Sequence, residues 1–217
     1  MARRAMRADL TAAMRLFSNA RSYVQRAGLS AEVAWQRRVD FVGFTECELL
    51  REHAWVTLCS GFRESTVRRV FDHVSLCFCD WESAEAIVSA GDICCVTAAS
   101  SFANSLKLKG IFSAAKYISH VGFDEFKQSV LVDPINQLQK LSFIGPITSC
   151  HLAKNLGLDI AKPDRHLIRL SERLGFRSAD HLCRELAATT GEQVKVVDLI
   201  VWRYIADNPE QLHLSFA

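Results

Sequence analysis

Residues that interrupt helices are scarce in this chain. Its 217 residues include four prolines and ten glycines, and Pro134, Pro146 and Pro163 lie close together in one part of the sequence. Proline and glycine are the residues that helices tolerate least, so long stretches without them favour helix. The scarcity predicts a mainly helical protein.

Long hydrophobic runs and a strong charge of either sign are also absent. No apolar stretch approaches the roughly 20 residues that a membrane-spanning helix needs. The hydrophobic share of 49% and the charged share of 23% are ordinary for a globular chain with a buried core. A net charge of +2 is too small by itself to indicate a nucleic-acid partner, so the distribution of basic residues matters more.

The cysteines lack the CxxC spacing that is typical of zinc sites. Cys94 and Cys95 stand between Ile93 and Val96, a context in which free cysteine behaves as a small buried hydrophobe. Since no secretory signal pattern precedes the cysteines, we expect reduced thiols in a cytoplasmic, nucleoid-associated protein, or a nuclear or organellar one in a eukaryote. The eight positions are Cys47, Cys59, Cys77, Cys79, Cys94, Cys95, Cys150 and Cys183.

The first thirty residues are rich in arginine and contain one acidic residue, Asp9. Such a composition resembles that of an organelle presequence. It also suits a structural amphipathic helix, because apolar residues recur at roughly helical spacing. We favour the structural helix, whose apolar positions are Met6, Leu10, Ala13, Phe17 and Val24.

Helical periodicity covers most of the chain. Short connections marked by glycine separate the periodic segments, and strand-like alternation is conceivable only at 74–78. The sequence therefore predicts an all-α protein. The predicted helices span 6–26, 30–39, 45–60, 64–77, 82–90, 96–104, 106–120, 123–130, 134–141, 147–156, 164–174, 178–189 and 193–207.

The most informative stretch is 141–170, LSFIGPITSCHLAKNLGLDIAKPDRHLIRL. Gly145 allows a tight turn, and Pro146 suits the first position of a new helix. The backbone N–H groups of Gly145, Ile147 and Thr148 at that helix start can hold a DNA phosphate without reading sequence. An ordinary corner between two helices, with no ligand, is the alternative for the turn taken alone.

An isolated carboxylate, Asp164, follows this turn after about twenty residues and comes directly after Pro163. A carboxylate can stabilise the positive charge that builds on a sugar as a base departs, and it can orient or deprotonate an attacking water. Asp just before a helical run is also a good N-cap. Both roles are compatible with the sequence.

These residues carry a family resemblance. LSFIGPITS resembles the helix-hairpin-helix element of the endonuclease III superfamily of DNA glycosylases, and PDRHLIR at 163–169 is similar to the segment that carries that family's catalytic Asp. Weaker similarity extends to 55–70, WVTLCSGFRESTVRRV, and to 107–118, KLKGIFSAAKYI. Together these pieces span roughly the central two-thirds of the chain.

The resemblance implies an all-α fold of two domains with a cleft between them. The central domain would cover 45–155 and include the hairpin, and the second would combine 1–44 with 156–217. The implied partner is duplex DNA containing a damaged or modified base, and a monomer is expected.

The resemblance also implies a chemistry. Asp164 would be the catalytic residue of a monofunctional N-glycosylase that leaves an abasic site, because Ile147 stands where strand-nicking relatives have a Schiff-base lysine. Only Cys183 follows Asp164, so the family's iron–sulfur cluster is not expected. A structural Na⁺ or K⁺ would bind the backbone carbonyls at the turn, where Ser142 and Phe143 replace the family's Pro-Gly. These carbonyls belong to Gln139, Leu141 and Ile144.

Further DNA contacts follow from base flipping, in which an enzyme extrudes its target and fills the gap. Phe62 or Arg63, in a loop placed like the family's gap-filling loop, would be the wedge; a core phenylalanine and a surface charge are the alternatives. Basic residues around Asp164 would contact the backbone or be solvated charges. They are Lys162, Arg165, His166 and Arg169. An inactive DNA-binding protein with this fold, and a helical interaction protein without a nucleic-acid role, stay open.

Overall fold

A computed structural model of the protein describes residues 8–212. Within that range it contains thirteen α-helices, two short 3-10 helices and no β-strand, so the predicted all-α class is confirmed. The helices are α1 (Leu10–Arg26), α2 (Ser30–Arg38), α3 (Glu46–Cys59), α4 (Glu64–Cys77), α5 (Ala84–Ala90), α6 (Ile93–Ala98), α7 (Ser105–Val121), α8 (Phe123–Val132), α9 (Pro134–Leu138), α10 (Pro146–Asn155), α11 (Arg165–Arg173), α12 (Ala179–Thr190) and α13 (Val194–Asp207).

Polar side chains start many of these helices. Thr45 and Glu48 form a reciprocal capping box at α3, and Ser83 and Ser178 each accept a backbone N–H at the start of α5 and α12. Such caps satisfy N–H groups that have no partner inside the helix. These caps explain why the starts of several helices can be predicted from the sequence.

One predicted helix is wrong, and the strand that the sequence left open at 74–78 is helix instead. The predicted helix 96–104 is replaced by α6, which ends at Ala98, because Asn104 accepts the N–H of Lys107 at 3.2 Å and begins α7. The conceivable strand at 74–78 is the last turn of α4, and the N–H of Phe78 donates to the Val74 carbonyl at 3.1 Å. In both places the local cap or turn outweighed the apolar pattern.

The described part of the chain divides into two compact units, one made of the residues up to Val39 and from Gly157 onward, the other of Asp40–Leu156. The sequence-based boundaries lie at 44/45 and 155/156, so the first differs by a few residues and the second by one. The unit that combines the two ends of the chain is called the terminal unit below, and the other is called the central unit. The cleft implied by the family resemblance stays a prediction.

The terminal unit packs α1, α2 and α11–α13 around one apolar core. Ala13, Phe17 and Val24 of α1 are buried in it, and Leu10 packs against it. The structural amphipathic helix is thus confirmed over Leu10–Arg26, while Met6 lies outside the described residues.

The central unit contains α3–α10, which carry the hairpin. Its fully buried aliphatic side chains include Leu49 of α3, Leu108 of α7 and Leu152 of α10, and α3 packs against both α7 and α10. Among residues 8–212, no helix combines the length and the apolar character needed to cross a membrane.

Candidate catalytic and nucleic-acid-binding residues

The hairpin of the central unit consists of α9, a turn and α10. Gly145 caps α10, and its N–H donates to the Thr148 hydroxyl at 2.7 Å. Pro146 has no N–H, and the first helical bond runs from Ser149 to the Gly145 carbonyl at 2.8 Å. Of the three N–H groups predicted to hold a phosphate, those of Ile147 and Thr148 therefore have no partner among the described residues, whereas that of Gly145 is already bonded.

The turn before Gly145 places Phe143 in the left-handed region, with φ +65°. The Ile144 N–H closes this turn on the Leu141 carbonyl at 3.1 Å, which makes Phe143 its third residue. A turn with a positive φ at the third position normally has glycine there. For an L residue with a side chain, this region costs about 1–2 kcal/mol, so Phe143 needs compensation from its surroundings.

Gly110, inside α7, provides the space for the Phe143 ring. A Cβ added at Gly110 would lie 2.2 Å from Cδ2 and 2.5 Å from Cε2 of that ring. Glycine in a helix interior costs about 1 kcal/mol relative to alanine. The ring thus occupies the volume that a side chain on α7 would fill.

Lys107, one helical turn before Gly110, supports the same ring. Its ammonium lies 5.5 Å from the Phe143 ring centre and 5.7 Å from that of Phe62. It donates to the Thr57 carbonyl at the end of α3. Lys107 is buried, and this burial lowers the pKa of its ammonium. The contacts join the turn to α3 and α7.

His53 of α3 anchors the turn from another side. Its Nε2–H donates to the Ser142 carbonyl at 2.9 Å, which fixes the proton on that nitrogen. Burial lowers the pKa of His53 to about 4, against the opposing effect of the Ser142 bond. The imidazole is therefore neutral near neutral pH. Its Nδ1 is buried without a hydrogen-bond partner.

The monovalent cation at the turn stays a prediction. Of its three proposed ligands, the Leu141 carbonyl already accepts the Ile144 N–H. A carbonyl has two lone pairs, so Leu141 keeps one for a cation. Together with Gln139 and Ile144, it gives the all-oxygen donor set that hard cations prefer.

Asp164 of the terminal unit is half-buried and is the N-cap of α11. Its Oδ1 accepts the N–H of His166 at 2.9 Å and that of Leu167 at 3.0 Å. Its Oδ2 has no hydrogen-bond partner among the described residues. One carboxylate oxygen therefore orients the group while the other is open, so the capping and catalytic roles are compatible.

The segment 157–163, which leads to Asp164, is fixed by polar groups of α13. The buried Asp198 accepts the Lys162 N–H at 2.7 Å. The Lys195 ammonium donates to the Gly157 carbonyl at 3.0 Å, and the Lys195 N–H donates to Asp159 at 2.9 Å. Sequence reasoning missed these residues, although a lysine and an aspartate inside the apolar run of α13 were a usable signal.

The basic residues around Asp164 differ in exposure. Arg165 and Arg169 are exposed, whereas Lys162 and His166 are half-buried. Burial lowers the pKa of His166; Asp164 opposes that shift, and the three cationic neighbours add to it. The two arginines are therefore the cations that a solvent-borne phosphate reaches most readily.

The proposed wedge loop joins α3 to α4. Phe62 is 40% exposed and packs against the Phe102 ring, with the ring centres 5.1 Å apart. Arg63 is exposed and is the N-cap residue of α4. Phe62 is thus a surface aromatic residue rather than a core one. Within residues 8–212, no group of three or more His, Cys, Asp or Glu side chains could hold a metal ion.

Comparison with known proteins relates these features to a fold. No protein-family model matches the sequence, and no curated protein matches it. Among solved structures, the 8-oxoguanine DNA glycosylase of Thermotoga maritima is similar, with a TM-score of 0.59 and 19% sequence identity. The likeness covers 89% of this chain and 97% of that one. The chain thus has the all-α fold of that DNA glycosylase.

Proposed function

We propose that the protein is a monofunctional DNA N-glycosylase that excises an altered base from duplex DNA. The observation that carries this proposal is the state of Asp164. Its Oδ1 is held by two backbone N–H groups, and its Oδ2 accepts no hydrogen bond among the described residues. A pre-oriented carboxylate with an open oxygen is the group that glycosidic bond cleavage requires.

The reaction breaks the bond between the base and C1′ of the deoxyribose. Positive charge develops on the sugar as the base leaves, and the Asp164 carboxylate stabilises it. Oδ2 also accepts a proton from the attacking water, whose oxygen forms the new bond to C1′. The base leaves with the electron pair of the broken bond and takes up one proton from solvent, and Asp164 returns to the carboxylate by releasing the proton that it accepted. The products are a free base and an abasic site.

DNA is held through its phosphates. The unpartnered N–H groups of Ile147 and Thr148 lie at the start of α10, where the helix dipole also favours an anion. Arg165 and Arg169 supply exposed positive charge on α11. Contacts of this kind release counterions, so we expect binding to weaken steeply as salt rises.

The substrate is proposed only as an altered base. Alkylated purines, oxidised guanine, mismatched bases and hypermodified bases are all compatible with this chemistry. The structurally similar protein is named for 8-oxoguanine, which makes that lesion the first one to test here.

The test is base release from a panel of duplexes carrying these bases, with strand breaks developed by alkali. Wild type is compared with Asp164→Asn, which keeps an N-cap acceptor but removes the charge. We expect the variant to lose about 10²- to 10⁴-fold in rate. The control is Asp9→Asn, because Asp9 is also a helix N-cap, accepts the Ala12 N–H at the start of α1 and should leave the rate unchanged. Equal rates in wild type and Asp164→Asn would refute the catalytic assignment.

The absence of strand nicking is a separate part of the proposal. Ile147 has no amine, so reaction with abasic DNA in the presence of borohydride should trap no covalent adduct. Ile147 is 49% exposed, which leaves room for a longer side chain. Ile147→Lys is therefore expected to gain a trapped adduct. An adduct with wild type would overturn the monofunctional assignment.

A second candidate is an inactive DNA-binding protein with the same fold. The departures from the family pattern at Ser142, Phe143 and Ile147 favour it. It predicts salt-sensitive DNA binding that Asp164→Asn does not alter, with no base released from any duplex of the panel.

A further inference from the structure

The segment 157–163, which leads to Asp164, belongs to no helix or strand. Two short-range bonds tighten it: the Ile160 N–H donates to the Leu158 carbonyl at 2.9 Å, and the Asp164 N–H donates to the Lys162 carbonyl at 2.8 Å. No periodic ladder of backbone bonds fixes its path. Its position in the terminal unit therefore depends on bonds to other elements.

Lys195, in the first turn of α13, bonds the beginning of this segment twice. Its ammonium donates to the Gly157 carbonyl at 3.0 Å, and its backbone N–H donates to the Asp159 carboxylate at 2.9 Å. The first N–H groups of a helix have no partner inside it, and the N-cap residue of α13, Gln193, makes no side-chain cap bond. Asp159 thus caps α13 from a distance while Lys195 holds the segment.

The same ammonium also bonds the other place where the chain leaves the terminal unit. It donates to the Val39 carbonyl at 2.6 Å, and Val39 and Gly157 are the two residues at which the terminal unit borders the central unit in sequence. Lys195 is buried, and burying an ammonium is unfavourable unless it is hydrogen-bonded. A methionine of similar length would avoid that cost but could bond neither carbonyl.

Asp198, one helical turn further along α13, bonds the far end of the segment. Its buried carboxylate accepts the Lys162 N–H at 2.7 Å. Only Pro163, whose ring fixes φ, separates Lys162 from Asp164. Lys195 at the start of the segment and Asp198 at its end therefore set the place from which the catalytic carboxylate is presented.

We propose that Lys195, together with Asp198, is a positioning residue for the Asp164 carboxylate and acts through the segment 157–163. This inference deepens the proposed function and rests on it. A displacement of about 1 Å at a reacting group can cost on the order of 10²-fold in rate. Loss of Lys195 should therefore slow base release without weakening DNA binding, whereas a lysine with only a structural role would change stability and leave the rate of the folded protein unchanged.

The experiment measures single-turnover base release with the protein in excess, and the affinity for the same duplex, which carries the base of the panel that wild type releases fastest. Lys195→Met removes the ammonium but keeps the length of the side chain. Asp198→Leu removes the acceptor, whereas Asp198→Asn keeps an oxygen for the Lys162 N–H. The matched control is Arg203→Met, because Arg203 is a buried cation of the same helix that donates to Glu32 of α2 at 2.6 and 2.7 Å.

We expect Lys195→Met and Asp198→Leu to lower the single-turnover rate by about 10- to 100-fold, with little change in affinity for the duplex. Asp198→Asn should keep most of the wild-type rate, because its amide oxygen still accepts the Lys162 N–H. Arg203→Met should unfold at a lower temperature but release the base at the wild-type rate. All rates are measured at a temperature where thermal unfolding shows every variant to be folded.

Two further measurements separate positioning from a general loss of structure. In an Asp164→Asn background no carboxylate is left to be placed, so Lys195→Met should lower the residual rate much less than it does in wild type. Amide hydrogen exchange needs no activity. Lys195→Met should speed exchange at His166 and Leu167, whose N–H groups bond to Asp164, and Arg203→Met should not.

The failure of this proposal differs from the failure of the proposed function. If wild type releases a base and Lys195→Met releases it equally fast, or loses no more rate than Arg203→Met, the positioning role is wrong and the glycosylase proposal stands. Should Lys195→Met not fold, equal rates in Asp198→Leu and Asp198→Asn would contradict the role. If wild type releases no base from any duplex, both proposals fail, and amide exchange then shows only whether Lys195 holds the segment.

Discussion

The hairpin turn and the segment around Asp164, which we propose to contact DNA, hold their polar groups in opposite ways. In the turn, the family's Pro-Gly is replaced by Ser142 and Phe143, and the positive φ falls on a phenylalanine. At Asp164 the sequence matches the family segment closely, and the aspartate sits in an ordinary extended N-cap conformation with φ −83° and ψ 169°. The turn departs from the resembled family in sequence and has a strained backbone. The Asp164 segment matches that family in sequence and has an unstrained backbone.

The difference follows from what each region has to supply. The turn supplies backbone N–H and carbonyl groups, which any side chain can present if neighbours hold the conformation. Here His53 holds the Ser142 carbonyl and Gly110 accepts the Phe143 ring. Asp164 supplies its own oxygens, and no neighbour can replace a carboxylate. Substitutions in and around the turn should therefore change stability, whereas substitution of Asp164 should change rate.

The largest expected effect is the loss of folding stability at low pH that results from protonation of His53. Its folded pKa of about 4 lies below the ordinary value of 6.5, so the unfolded chain binds a proton that the folded protein excludes. This contribution to stability is intact above pH 6.5 and is lost as pH drops below it, and the loss amounts to about 3 kcal/mol by pH 4. Urea unfolding at several pH values measures it.

His53→Gln keeps an amide N–H for the Ser142 carbonyl but does not titrate, so its stability should fall less with acid than that of wild type. Other groups, including the buried Glu52, titrate in both proteins and cancel in the difference. The exposed His120 provides the control, and His120→Gln should follow wild type. Parallel curves for wild type and His53→Gln would show that the turn does not depend on a neutral imidazole.

The next effect is the coupling between Gly110 and Phe143. Gly110→Ala forces the Phe143 ring away from α7, a cost of about 1–3 kcal/mol that helix propensity only partly offsets. In a Phe143→Gly background the same change should stabilise by about 1 kcal/mol. A double-mutant cycle should thus give a coupling energy of about 2 kcal/mol.

Ser113→Ala on the exposed side of α7 is the control for that cycle. It raises helix propensity without approaching the ring, so its effect should be the same with Phe or Gly at 143. If Gly110→Ala also has the same effect on stability with Phe and with Gly at 143, the position of the Phe143 ring does not depend on the absence of a side chain at 110.

The smallest expected effect concerns the cap at Asp164. Asp164→Ala removes the acceptor for two N–H groups and should cost about 1 kcal/mol, whereas Asp164→Asn should cost a few tenths. Asp9→Ala, at the equivalent cap of α1, should match the first value. Thermal unfolding measures all three. A large stability loss in Asp164→Asn would mean that its rate loss cannot be assigned to chemistry.

Much of the fold was predictable because local signals agree with the tertiary structure. Pro134 and Pro146 begin α9 and α10, and Asp164 begins α11, as their backbone preferences dictate. The helix 96–104 was wrong although Phe102 is buried like Cys94 and Ala98, because α6 ends at Ala98 and Asn104 caps a new helix. Apolar periodicity in so short a helix does not fix its register.

The residues that hold the hairpin turn in place could not be predicted from the sequence in the same way. His53 and Ser142 are 89 residues apart in the chain, and no local pattern connects them. A glycine inside a helical pattern, such as Gly110, does not by itself reveal which distant group approaches it. Such pairings depend on three-dimensional packing, which a single sequence does not encode locally. The sequence did show that Phe143 stands where the resembled family has glycine, the residue that a positive φ favours.

Gly110 also bears on how the present turn could have arisen. Two single substitutions lead from a glycine at 143 facing a larger residue at 110 to the pair seen now. Losing the side chain at 110 first costs about 1 kcal/mol of helix stability and creates no clash. Gaining Phe143 first would bring its ring to 2.2 Å from a Cβ at 110. The tolerated route passes through glycine at both positions, so relatives with that combination should be found more often than relatives with phenylalanine facing alanine.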